Sequence, residues 1–185
     1  NFDNFIKREN QLKSEIQEDL NDINDRIDDI LDDIGGAIAD GIIDESETIM
    51  INSSITQLNK EKETLTQRYN YIYGLSTLES SMKSSLKTMM NTYNTKQSAL
   101  ISHIQSMITD KHISDSERTT YNTRLTEYST ALANVNKKIE ECMDSISTSK
   151  VNTAKAEIKV TTDAITQSVT SLSNTVSTKA DGSTV

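Results

Sequence analysis

The sequence predicts an all-α protein, built as elongated tandem helical hairpins with coiled-coil-type packing and followed by a C-terminal coiled-coil segment. Three observations predict it. Apolar residues recur at steps of three and four along most of the chain, the spacing that gathers them on one face of a helix. The chain matches itself when slid by 70 residues. Core material is thin: Leu, Ile, Val and Phe number 41 of 185, with no Pro and no Trp. Such a composition lacks the thick core and sharp turns of a compact globule. It suits long helices joined along narrow apolar seams.

The first helix is expected near residues 4–34. Ile16, Leu20, Ile23, Ile27, Ile30 and Ile34 form its stripe, and the aspartates between residues 19 and 33 fall on the opposite, solvated face. Residues 1–50 carry 15 acidic against 4 basic side chains, whereas the rest of the chain is slightly positive, for a total net charge of −9. Repulsion among these carboxylates costs helix stability, and packing of the stripe must offset it. Gly41, with the Gly35-Gly36 pair as a further candidate, can adopt the left-handed conformation that stops a helix.

A second helix is expected over 45–73. Asp44-x-x-Glu47 caps it, and its seam runs Ile51, Ile55, Leu58, Lys62, Leu65, Tyr69 and Ile72, with one polar lapse at Lys62. Gly74 is compatible with a turn or with a straight run into the next helix. That third helix, near 75–108, reads Leu75, Leu78, Met82, Leu86, Met89 and Tyr93, then after a polar gap Leu100, Ile104 and Met107. Ser114-x-x-Glu117 is a capping box that opens a fourth helix over 115–147. Its seam steps regularly through Tyr121, Leu125, Tyr128, Leu132, Val135, Ile139, Cys142 and Ile146.

The repeat places residues 40–47 on 110–117, Ile34 on Ile104, Ile38 on Ile108 and Asn52 on Asn122. The chain therefore divides into hairpin repeat 1 (1–74), hairpin repeat 2 (75–148) and a Ser/Thr-rich segment (149–185). Ile43 and Ile113 sit just before the caps at Asp44 and Ser114, placed to plug the hairpin end. In the last segment Val151, Ile158, Ile165 and Leu172 alternate with Lys155, Thr162, Val169 and Val176. This predicts a helix over 152–178, ended by Asp181-Gly182. Its stripe cannot bury itself, so Ile158, Ile165, Val169, Leu172 and Val176 are assigned to an oligomerisation seam.

The composition excludes several functions. No run of about 18 apolar residues exists, so no membrane span is expected. One cysteine, Cys142, and two histidines, His103 and His112, leave no disulfide framework and little scope for metal or acid–base chemistry. The acidic balance opposes nucleic-acid binding. The turn Asp40-Gly41-Ile42-Ile43-Asp44-x-x-Glu47 looks like the second half of a calcium loop, yet Gly36 and Ile38 occupy the first and third ligand positions. It reads as a capped hairpin. Tyr69, Tyr71 and Tyr73 read as rim residues, with a stacking or docking surface as the other possibility. Neither a Gly-rich phosphate loop nor a Ser/His/Asp grouping is present. No catalytic, cofactor-binding or metal-binding residue is assigned, and no enzyme activity is expected.

The phrase Ala39-Asp40-Gly41-Ile42-Ile43-Asp44-Glu45-Ser46-Glu47, followed by a long polar helix, is similar to the helical hairpins of tail proteins from phages infecting Gram-positive bacteria. The Ser/Thr-rich residues 154–172 resemble the trimeric coiled-coil stretches that follow such hairpins in tail fibres and tail-associated proteins. The resemblance implies an internal helical fragment of a phage or prophage tail fibre or tail-tip protein, located in the virion. Its implied partners are two further copies, forming a homotrimer through the C-terminal segment, other tail proteins and the host cell surface. The start at Asn1 and the turn-like Asp181-Gly182-Ser183 before the end fit a fragment of a longer chain, with no signal or transit peptide visible. A helical stalk or partner-binding module of a bacterial surface or secreted protein, outside the cell, is the competing reading.

Overall fold

The computed structural model describes residues 1–183, with side chains described as far as residue 177. It is all-α. The elements are α1 (Phe2–Ile38), α2 (Glu45–Tyr73), α3 (Ser80–Thr109) and α4 (Asp115–Ser183), with no strand among the described residues. α1 and α2 form one hairpin and α3 and α4 the other, and the hairpins pack side by side through α1 against α4 and α2 against α3. The result is an up-down-up-down four-helix bundle, with both hairpin turns at one end and the α2–α3 link at the other.

The tip shows why the 70-residue repeat matters. The Ile43 N–H donates to the Lys111 carbonyl and the Ile113 N–H to the Gly41 carbonyl, both at 2.9 Å. Equivalent residues of the two turns thus exchange bonds across a local two-fold axis, forming an antiparallel bridge between Ile42 and His112. Each turn closes on an aspartate: Asp40 Oδ1 accepts from Ile42 N at 3.0 Å, and Asp110 Oδ1 from His112 N at 3.1 Å. Gly41 has φ 77°, and its counterpart Lys111 has φ 63°. Asp44 and Glu47 form a reciprocal capping box at α2, as do Ser114 and Glu117 at α4. Ile43 and Ile113 are buried beneath the turns. Arg118 donates across the tip to the Ile38 carbonyl at 3.0 Å, satisfying the C-terminal end of α1.

Most residues of the expected seams are in the core, although Lys62, Tyr69, Leu75 and Met82 are only half-buried. Ile16 through Ile34 on α1 are buried, with Ile51, Ile55, Leu58, Leu65 and Ile72 facing them from α2. On α4, Tyr121, Tyr128, Leu132, Val135, Ile139, Cys142 and Ile146 are buried, while Leu125 is half-buried. Halfway along the bundle the Tyr93 and Tyr128 hydroxyls lie 3.2 Å apart, and Gln97 donates to the Leu58 carbonyl at 3.1 Å. Ion pairs tie α1 to α2 in both directions: Arg26 of α1 grips Glu61 of α2 with two bonds of 2.6 and 3.0 Å, and Arg68 of α2 meets Asp19 of the acidic face of α1 at 2.8 Å.

Several boundaries differ from the sequence reading. α1 spans Phe2–Ile38, so Gly35 and Gly36 are helical and only Gly41 is left-handed. α2 and α3 are not continuous through Gly74. Residues 74–79 make a link of tight turns, Leu75 N to Ile72 O and Leu78 N to Leu75 O, so α3 begins at Ser80 and not at residue 75. Leu78 is buried there as a plug. On α3 the seam residue is Met90, Met89 being half-buried, and the polar gap is filled by Gln97, whose amide is buried because a carbonyl receives it. No break separates residues 115–147 from 152–178: α4 is one helix of 69 residues, on the order of 100 Å long at 1.5 Å per residue. Without Pro or Gly between residues 115 and 181, the backbone has nothing to stop it. The expected stop at Asp181-Gly182 is also absent, the helix running to Ser183.

Candidate functional site

The C-terminal third of α4 leaves the bundle as a projecting arm. α2 and α3 end near residues 73–80, so below them α1 alone accompanies α4. Lys13 pairs with Asp144, and Lys150 with Glu9 at 3.5 Å. Val151 and Ala154 are half-buried. Phe2 and Phe5, also half-buried at the very start of α1, line a groove together with Ala154, Ile158 and Thr161 of α4. Residues 163–177 are all exposed.

All five residues of the assigned seam sit on this arm. Ile158 is 47 % exposed, and Ile165, Val169, Leu172 and Val176 are between 59 % and 64 % exposed. They occupy one face, so an apolar stripe runs along the arm, exposed most fully from Ile165 to Val176. The threonines soften its polarity. Thr162 stands in the stripe, and its hydroxyl donates to the Ile158 carbonyl at 2.9 Å, leaving the methyl group outward. Thr161, Thr170 and Thr175 bond back to the preceding turn in the same way. Residues 164–177 contain no charged side chain. Lys159 pairs with Asp163 at 2.8 Å just before this uncharged stretch.

The remaining candidate groups are occupied by the fold. The carboxylates of Asp40, Asp44 and Glu47 receive backbone N–H groups of the tip. Among the described residues, no group of three His, Cys, Asp or Glu is placed to hold a metal ion. Cys142 is buried in the seam, where burial pushes its thiol pKa up and so disfavours the thiolate. His103 Nε2 lies 2.8 Å from the Glu117 carbonyl, tying α3 to the first turn of α4. Tyr69 and Tyr73 stack with centroids 5.5 Å apart, and the Lys83 ammonium stands 5.6 Å from the Tyr73 ring, while Tyr71 is exposed. No helix of the described residues is long and apolar enough to cross a membrane.

Phe2 and Phe5 escaped the sequence reading. They precede the periodic stripe of α1 and face a segment expected to be a separate helix, so only the continuity of α4 brings them to Ile158. The exposed stripe is apolar surface that a further apolar surface could cover. Comparison with protein-family models, curated proteins and solved structures gave no match.

Proposed function

We propose that the chain is a non-enzymatic structural spacer and oligomerisation segment of a phage tail fibre or tail-tip protein that takes part in host attachment. The observation that carries the structural half of this reading is the stripe of Ile158, Ile165, Val169, Leu172 and Val176, left exposed on the part of α4 that projects from the bundle. Ser, Thr and Val are mediocre helix formers, and isolated helices of modest length are marginal in water. An arm of this composition gains its helix from partners. The alternating steps of four and three from Ile158 to Val176 are the spacing of a coiled-coil seam, and the resemblance of residues 154–172 to fibre stretches favours three copies. The bundle supplies bulk and length.

The tail assignment is supported by the resemblance of residues 39–47 and 154–172 to tail-protein hairpins and fibres. Immuno-electron microscopy with antibodies raised against the bundle tests it directly. Labelling at the tips of phage particles induced from the source strain is the expected result. Labelling of the cell wall in the absence of particles would replace it with the surface-protein stalk.

A further inference from the structure

The apolar faces that α4 offers to the bundle and to the arm are different faces. The bundle seam steps by three and four as far as Ile146, and the next stripe residue, Val151, comes five later. At 3.6 residues per turn, the stripe of Ile158 to Val176 lies roughly 100° around the helix from the bundle seam. Copies meeting along the arm would therefore use a side of α4 that its own bundle leaves free. α1 reaches only the upper end of that side. Its first turn brings Phe2 and Phe5 to the groove that Ala154, Ile158 and Thr161 line, and Ile158 is the least exposed of the five stripe residues.

We propose that the first turn of α1 is a stop that divides the stripe: Ile158 belongs to the bundle, and copies of this chain pair only through Ile165, Val169, Leu172 and Val176. The division rests on the self-assembly reading above. A second copy is the occupant because residues 164–177 carry no charge. Identical arms meet there without like-charge repulsion, and a charged partner finds no counter-ion to grip. The alternating steps of three and four are also what a seam between like helices requires.

Sedimentation equilibrium and amide hydrogen exchange on the full chain test the division, using wild type, Phe2→Ser/Phe5→Ser, Ile158→Ser and Leu172→Ser. Freeing Ile158 adds a layer to the seam, so the double variant should associate at least about tenfold more tightly. Ile158→Ser should leave association within about twofold of wild type, and Leu172→Ser should weaken it by about tenfold or more. At concentrations where the chain is monomeric, amides of residues 154–161 should lose protection in the double variant. Equal weakening by Ile158→Ser and Leu172→Ser would overturn the stop and leave self-assembly standing. Unchanged protection of residues 154–161 would overturn the stop whatever the association. A wild-type chain that stays monomeric throughout would overturn the self-assembly reading and the division with it.

Discussion

Gly41 and Lys111 occupy the same place in the two hairpin turns, with φ 77° and 63°, and the shared conformation predicts opposite responses to exchange. A left-handed conformation costs an L-residue roughly 1–2 kcal/mol. Lys111→Gly removes that strain, while the freer glycine adds about 0.4–1 kcal/mol of unfolded-state entropy to be lost on folding. The net gain is about 0.5–1 kcal/mol. Gly41→Ala runs the other way. A Cβ there would meet Arg118 Nη2 and the Ile113 carbonyl at 3.6 Å, ordinary contact distances, so strain without a clash leaves a loss of about 0.5–1 kcal/mol. For a chain of this size each change shifts the melting temperature by roughly 1–4 °C, within reach of differential scanning calorimetry. The Lys111→Gly/Gly41→Ala double variant should melt close to wild type. Shifts of the same sign at the two positions would refute the shared left-handed turn and the local two-fold with it.

Other consequences can be measured on the same protein. Leu132→Ala and Val135→Ala, both at buried seam positions, should each lose about 2–4 kcal/mol in urea unfolding, while the exposed Asp28→Ala stays within ~0.5 kcal/mol; equal effects would show the seam to be misplaced. Tyr93→Phe leaves the buried Tyr128 hydroxyl without its 3.2 Å partner and should cost about 1–3 kcal/mol, with the Tyr93→Phe/Tyr128→Phe double costing less than the sum of the singles. Burial pushes the Tyr93 and Tyr121 phenols from 10.0 up to about 12, and raises Tyr128 as well. The native state therefore holds protons that the unfolded chain releases, and stability is intact below pH 10 and falls as pH rises from 10 toward 12. Replacing all three tyrosines by Phe should flatten that alkaline decline in calorimetry, and an unchanged slope would count against burial as its cause.

How much of this was legible in the sequence depends on how local the signal is. The capping boxes at Asp44 and Ser114 and the stripes from Ile16 to Ile34 and from Tyr121 to Ile146 could be read directly, because each is fixed by residues within a few turns of one another. The repeat gave the hairpins, yet the bonds between Ile43 and Lys111 and between Ile113 and Gly41 are made by residues 70 apart, and no periodicity reports them. Lys111 shows the same limit in reverse. It departs from the glycine pattern but takes the left-handed conformation, because the aspartate bond and the bridge over-determine the turn. The change of composition at Val151 looked like a boundary, although helix continuation requires only the absence of a breaker. The exposed stripe was legible as a pattern, whereas its meeting with Phe2 and Phe5 depended on how far α1 extends beside α4.

The claim on which the account turns is that the arm brings copies of the chain together through its stripe. Multi-angle light scattering over a concentration series, on the full chain and on Val169→Ser/Leu172→Ser, tests it most directly, since both residues are exposed and neither supports the bundle. The full chain should rise from 20.6 kDa toward three times that mass, while the variant remains at the monomer mass with an unchanged melting temperature. A full chain that holds its monomer mass at high concentration, or a variant that associates as wild type does, would contradict the account.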